Sequence, residues 1–241
     1  MNKESRRNFV KKTAVLSTAT LATTLPVDAF ANVTENKKLK ISLVGCGGRG
    51  SGAIVQAMEA DDNVEIISMA DVFSDRIEKS LKGIREHFGN KKKINLKEKN
   101  IFVGFDSYKK AIDLCDVVIL ATPPGFRPLH FEYAVDNGKH VFMEKPLATD
   151  ATGVRRVLKS AQKAKEQKLN VVVGLQRHYQ NKYLDLYEKV KSGAIGKIVS
   201  GQVYWNDGGV WTINRKADQT ELEYQMRNWY YFNWICGDHI L

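Results

Sequence analysis

Residues Lys40-Ile41-Ser42-Leu43-Val44-Gly45-Cys46-Gly47-Gly48-Arg49-Gly50 decide how the chain is read. Lys40 to Val44 is a short apolar strand that runs directly into the pattern G-x-G-x-x-G. Any tight turn can mimic that spacing, so the flanks carry the weight. A helical pattern follows at Ala53, Ile54, Ala57 and Met58, then a second strand from Val64 to Ala70 that ends at Asp71. Strand, glycine loop, helix, strand and an acidic residue about 20 positions further on make up the unit that holds a dinucleotide. In it Gly45 permits the tight turn, Gly47 lets the backbone approach a pyrophosphate, and Gly50 lets helix and sheet pack closely. The unpaired N–H groups where the helix starts, around Gly48 and Arg49, receive the phosphates. The Asp71 carboxylate accepts from the ribose hydroxyls and repels a 2′-phosphate, which favours NAD over NADP. Arg49 either reaches a phosphate or extends into solvent.

The alternation continues outward. Ser74 caps a helix through about Phe88; Gly89 to Asn100 is rich in lysine and asparagine and reads as a surface insertion; Ile101 to Phe105 is a short strand, followed by a small helix around Tyr108 to Leu114. Val117 to Ala121 is a continuous apolar run suited to a central parallel strand, and it ends in Thr122-Pro123-Pro124. A helix from Arg127 to Asn137 stops at Gly138, and the next strand, His140 to Met143, ends in Glu144-Lys145-Pro146. Ligands of open α/β sheets bind outside the carboxyl ends of the strands, where the glycine loop, Asp71, Thr122-Pro123 and Glu144-Lys145-Pro146 all fall.

The first 31 residues read as an address. Ser5-Arg6-Arg7-Asn8-Phe9-Val10-Lys11 matches the twin-arginine export pattern, the stretch from Thr13 to Leu25 is too short to span a bilayer, and Ala29-Phe30-Ala31 suits cleavage after Ala31. No cysteine follows the cleavage site to carry a lipid, so no stable membrane anchor is expected. The formal net charge is +10, and this segment holds five basic residues against two acidic ones; removing it leaves +7. The remaining lysines (Lys37, Lys38, Lys40; Lys91 to Lys93; Lys159, Lys163, Lys165, Lys168) have no interleaved aromatics for base stacking, which argues for solvated faces and against a nucleic-acid partner. Three cysteines without C-x-x-C spacing form neither a disulfide framework nor a metal site, and read as buried free thiols.

Four features occur here in the order found in the Gfo/Idh/MocA family (glucose–fructose oxidoreductase / inositol dehydrogenase), which the chain resembles. They are the glycine loop, the acid after the second strand, Ala121-Thr122-Pro123, and Gly138-Lys139-His140-Val141 leading to Glu144-Lys145-Pro146. The likeness continues through Val173-Gly174-Leu175-Gln176-Arg177 and Ser192-Gly193-Ala194-Ile195-Gly196-Lys197. It implies a bound NAD(P), with Lys145 beside the nicotinamide handling the proton of a substrate hydroxyl. Glu144 then contacts the cofactor or orients the lysine, and Pro146 fixes the backbone. Gln176 and Arg177 fall near cofactor and substrate, with His178 and Tyr179 as lesser candidates. The aromatics Trp205, Trp211, Trp229, Tyr230, Tyr231 and Trp234 pack a sheet or stack on a sugar face.

The resemblance implies a layout of signal peptide (1–31), linker (32–37), NAD(P)-binding Rossmann domain (38–150) and, from 151 to 241, the start of an α+β domain for substrate and oligomerisation. The fold class is thus α/β, a Rossmann-type doubly wound parallel sheet followed by an incomplete α+β domain with an open sheet. Family members run on past the point reached at Cys236-Gly237-Asp238-His239-Ile240-Leu241, so a C-terminally truncated chain is expected, with His239 preceding the catalytic histidine. Thr122-Pro123-Pro124-Gly125 departs from the commoner Thr-Pro-Asn/x-x-x-His form.

The implied function is hydride transfer between bound nicotinamide and a sugar, cyclitol or derivative. The implied partners are that small molecule, the twin-arginine translocase and, for the full-length protein, further copies of itself. Two alternatives stand beside it. One is a redox-neutral glycosidase in which a ring hydroxyl is oxidised transiently and the glycosidic oxygen leaves by elimination. The other is a noncatalytic nucleotide- or sugar-binding protein.

Overall fold

The computed structural model describes residues 38–89, 94, 96–206 and 208–238; the export segment, the linker and His239 lie outside them. Six parallel strands form one sheet: β1 (Leu39–Val44), β2 (Val64–Asp71), β3 (Ile101–Val103), β4 (Val117–Leu120), β5 (His140–Met143) and β6 (Val171–Val173). Their order is β3-β2-β1-β4-β5-β6, the doubly wound arrangement with its reversal between β1 and β4.

Side chains alternate across the pleat and sort the helices into two layers. Ile41, Leu43, Met69 and Ile119 face α1 (Gly48–Ala60) and α2 (Ser74–Phe88), which supply Ala53, Ile54, Met58, Ile77, Leu81, Ile84 and Phe88. Val44, Ala70, Val118, Leu120, Val141 and Met143 face the opposite layer. That layer comprises α3 (Ser107–Asp113), α4 (Arg127–Asp136) and α5 (Ala151–Glu166).

Element ends differ from the sequence reading by a residue or two, each for a local reason. Phe73, not Ser74, is the N-cap of α2. β3 stops at Val103: the Gly104 N–H still donates to the Asp71 carbonyl at 3.0 Å, and its φ of +112 then turns the chain away. Gly138, at φ +67, ends the chain's turn after α4 as anticipated. Part of the lysine-rich insertion lies outside the described residues; what is described ends in a 3-10 turn at Glu98–Asn100, with Leu96 buried. Cys46, Cys115 and Cys236 are free and buried.

Beyond residue 150 the chain still serves this sheet, since β6 pairs with β5 as its sixth strand. From there the described residues form helices joined by irregular chain, not the open sheet expected of a second domain. These are α6 (Asn181–Lys191), α7 (Glu221–Arg227) and α8 (Asn233–Cys236), with 3-10 turns at Gln176–His178 and Trp229–Tyr231. Residues 197–206 carry strand-like sequence, yet Val199 and Val203 are 88% and 98% exposed. A strand requires partners for its N–H and C=O groups, and none lies beside this stretch among the described residues. The aromatic residues accordingly pack no sheet. Trp211, Trp229 and Tyr230 form a cluster of their own, with ring centroids 5.4–5.7 Å apart, Trp229 meeting both neighbours edge-to-face.

One buried polar pair sits inside the apolar core. The β1–β2 register slips between Ile41 and Ser42, which puts Ser42 opposite Ser68. Their hydroxyls lie 2.5 Å apart and both reach the Ala111 carbonyl of α3, at 2.9 and 3.0 Å. Because they share that acceptor, Ser42→Ala and Ser68→Ala are each expected to cost about 1–2 kcal/mol. The double variant is expected to cost less than the sum of the two. Urea unfolding of the four proteins measures this coupling.

Candidate functional site

The turn from β1 into α1 is dictated by space. Gly45 has φ +94, and a β-carbon there would lie 2.6 Å from the Ala121 carbonyl carbon of β4's end. A β-carbon on Gly50 would fall on the Gly45 carbonyl oxygen. Gly47 and Gly48 behave differently, since a β-carbon on either meets nothing among the described residues. Their missing side chains therefore leave open room beside the start of α1. No side chain caps this helix and no acidic residue lies in its first turn. Its leading N–H groups and the positive end of its dipole are thus available to an anion.

Asp71, at the end of β2, frames the same loop. One carboxylate oxygen accepts from the Cys46 N–H at 2.7 Å and the other from the Phe73 N–H at 3.0 Å. Each oxygen keeps a lone pair for a hydroxyl donor. Burial raises the Asp71 pKa above the usual carboxylate range, against the pull of the Phe73 and Cys46 N–H groups and of Arg76. The open space over Gly47 and Gly48, the uncapped helix and the acceptor beside them together fit the phosphates and ribose of a dinucleotide.

The ends of β4 and β5 complete the row. Glu144 is buried, 8% exposed, and its Oε1 accepts from Arg49 Nε at 2.8 Å. Arg49, ambiguous from sequence, thereby ties the glycine loop to the end of β5. A β-carbon on Gly174 would sit 2.8 Å from Glu144 Oε2, so that glycine makes room for the carboxylate. Lys145 follows with its side chain exposed. Thr122 Oγ1 lies 3.2 Å from His130 Nδ1, and Pro123 follows half-buried.

Gln176 and Arg177 follow the end of β6, two residues after Gly174. They are exposed beyond the edge strand β6, and the Arg177 guanidinium lies 5.9 Å from the centre of the Tyr183 ring in α6. His178 and Tyr179 are exposed beside them.

Two buried residues of the site were not singled out from sequence. Arg127, 2% exposed, donates from Nη1 to the Pro146 carbonyl and from Nη2 to the Thr122 carbonyl. It therefore holds together the loops that follow β4 and β5, while its Nε finds no acceptor among the described residues. Burial lowers its pKa to about 10, opposed by Glu144. The sequence did carry a signal: Arg127 opens α4, and a cation at a helix N-terminus is unfavourable unless something else holds it. His130, 5% exposed, stacks on Tyr108 with centroids 4.1 Å apart. Burial, then the Arg127 charge, lower its pKa to about 3, so it is neutral throughout the physiological range.

Residues 39–174 match the family described as "Oxidoreductase family, NAD-binding Rossmann fold". The chain belongs to that family. Members similar to it include the inositol 2-dehydrogenase of Salmonella paratyphi B, 30% identical over 172 residues, which are 69% of this chain and 46% of that protein. A glycosyl hydrolase family 109 protein of Shewanella putrefaciens is 22% identical over 249 residues, 95% of this chain and 50% of the relative. Among solved structures, the myo-inositol dehydrogenase of Lactobacillus casei, in complex with NAD(H) and myo-inositol, superposes with a TM-score of 0.54. It is 22% identical, with 66% of this chain and 43% of that one covered, and supports the fold. The chain spans about half the length of the curated relatives it matches, or less.

Gly50→Ala is expected to lose about 3 kcal/mol or more of stability, since backbone must move to admit the methyl group. Gly47→Ala is expected to stay within about 1 kcal/mol of the parent yet bind NAD at least tenfold more weakly, because the methyl group occupies the pyrophosphate's place. Denaturant melts paired with NAD titration separate the two. For His130, the folded pKa is depressed, so its contribution is complete above about pH 6.5 and is lost as pH falls towards 3. Stability should therefore decline over that window by a few kcal/mol, and His130→Gln should flatten this part of the profile.

Proposed function

We propose that this chain is the nucleotide-binding part of an NAD-dependent dehydrogenase that oxidises a secondary hydroxyl of an inositol, a related cyclitol or a sugar. The observation that carries the reading is convergence. The glycine loop, Asp71, Thr122-Pro123 and Glu144-Lys145 leave the carboxyl ends of β1, β2, β4 and β5 on one edge of the sheet. The likeness to inositol 2-dehydrogenases supports the substrate class.

In this reading α1 and the space over Gly47 and Gly48 bind the pyrophosphate. Asp71 accepts from the adenosine ribose and disfavours a 2′-phosphate, hence NAD over NADP. The nicotinamide, when bound, supplies the hydride acceptor. Lys145, exposed at the end of β5, takes the proton released from the substrate hydroxyl and stabilises the developing oxyanion. Glu144, paired with Arg49, fixes the backbone that presents it. Export through the twin-arginine pathway belongs to the same proposal. It rests on Arg6-Arg7 and their context, and a cofactor loaded before export must then stay bound or be recycled in place.

A second reading has its own support, because the likeness to a glycosyl hydrolase family 109 protein extends over 95% of the chain. A transiently oxidised ring hydroxyl acidifies the neighbouring C–H, the glycosidic bond breaks by elimination, water adds, and the hydride returns. No net NADH accumulates.

The test begins with protein purified from an exporting host without added cofactor, denatured, and its supernatant assayed for NAD(H) and NADP(H). The expected outcome is NAD(H), together with a mature N-terminus at Asn32 and loss of export on Arg6→Lys/Arg7→Lys. The protein is then offered NAD with inositols and with aryl glycosides. NADH formation that Lys145→Met abolishes supports the dehydrogenase, whereas aglycone release without NADH supports the glycosidase. A chain that neither carries nor binds NAD overturns both.

A further inference from the structure

Asp71 is held by backbone donors on both sides, and the second of these, the Phe73 N–H, belongs to a short turn before α2. That turn is itself pinned by a residue 152 positions away. Arg227, the last residue of α7, donates from Nη1 to Asp75 Oδ2 at 2.7 Å and from Nη2 to Asp75 Oδ1 at 2.9 Å. Its guanidinium carbon lies 3.7 Å from the centre of the Phe73 ring. One planar cation thus grips the turn twice, edge-on through a bidentate carboxylate and face-on through an aromatic ring.

The charges agree with this arrangement. Pairing with Arg227 lowers the Asp75 pKa, and Asp75, Glu223 and Asp71 all favour the Arg227 cation. The Arg227 side chain is 19% exposed and the Asp75 side chain 59%, so the guanidinium is shielded while the carboxylate faces solvent. Asp75 also lies in the first turn of α2 and Arg227 in the last turn of α7, each at the helix end that suits its charge.

The segment carrying Arg227 is anchored a second time, at the far side of the nucleotide groove. The Gly125 N–H after β4 donates to the Ile235 carbonyl of α8 at 2.7 Å. A β-carbon on Gly125 would lie 2.7 Å from the Trp234 carbonyl, and Trp234 meets Phe126 edge-on. Ile235 is fully buried there. Residues 221–236 therefore touch both the loop after β2 and the loop after β4.

We propose that Arg227 is a positioning residue for the adenosine half of the cofactor site: by fixing Phe73 and Asp75 it holds the Asp71 carboxylate in the orientation that receives the ribose 2′-hydroxyl. The proposal rests on the nucleotide-binding reading above and assigns to the helical tail a part in recognising NAD. Arg227 itself touches the turn and not the reacting atoms.

The experiment compares NAD with its adenosine-2′-deoxy analogue, which lacks the hydroxyl that Asp71 receives. Dissociation constants are measured by calorimetry on the full chain, in the parent, Arg227→Met and Arg227→Lys, below the unfolding temperature of each. The parent is expected to prefer NAD by about tenfold, the worth of one hydrogen bond to a charged acceptor. In Arg227→Met that ratio should fall to about twofold or less, with Arg227→Lys between, because it keeps the charge and loses the fork. Asp75→Asn, which releases the same turn from an exposed position, should reproduce the Met variant should the latter fail to fold. An unchanged ratio in the variants, or a parent that does not distinguish the two nucleotides, overturns the assignment. A parent that binds NAD with unchanged variants removes this inference alone; a parent that binds no nucleotide removes the nucleotide reading as well.

Discussion

Three backbone segments meet where the first strand ends: the Gly45 turn, the first turn of α1 at Gly50, and the end of β4 at Ala121 and Thr122. They approach so closely that neither glycine admits a β-carbon without displacing main chain. The contact sets how near the helix start lies to the edge of the sheet, and so where its unpaired N–H groups point. It also separates two kinds of glycine within one motif. Gly45 and Gly50 are needed by the protein's own packing, whereas Gly47 and Gly48 leave space that no protein atom fills among the described residues.

Around that contact the polar groups form a continuous frame. Asp71 joins the glycine loop to the turn before α2, Arg49 joins the same loop to Glu144, and Arg127 joins the loops after β4 and β5 through their carbonyl groups. Each link crosses between segments far apart in sequence. Few of them lie at the surface, where solvent screening would leave them little strength. The backbone that carries Lys145 is thus held by the Arg49–Glu144 pair on one side and by the Arg127 contact to the Pro146 carbonyl on the other.

The sheet was legible because its signals are local. An apolar run, a glycine loop and an acid at the next strand end are read off neighbouring residues, and five strands were placed within a residue or two. The sixth, Val171–Val173, was assigned to the entry of a second domain, since three valines do not reveal which sheet they join. The site divides in the same way. Glycines 45 to 50, Asp71, Thr122 and Glu144-Lys145 share one edge as spacing implied, while Arg127, His130, Gly174 and Arg227 depend on contacts that spacing does not encode. Arg127 was legible only as the start of a helix, and packing alone shows that its guanidinium bridges two loops. Residues 197–206 show the converse: their pattern suits a strand, yet pairing is a property of two segments and no partner lies beside them among the described residues.

The strand order has a consequence for how the chain is made. β1 is central, yet it is synthesised first and its neighbour β4 begins at Val117, long after β2 has emerged. During translation β1, β2 and β3 can pair and close over α1 and α2, while the other edge of β1 waits with its ladder groups open. The layer of α3, α4 and α5 closes only after β4 and β5 arrive. The order of the strands along the chain therefore leaves the β4-facing edge of β1 without its partner until Val117–Leu120 has been made.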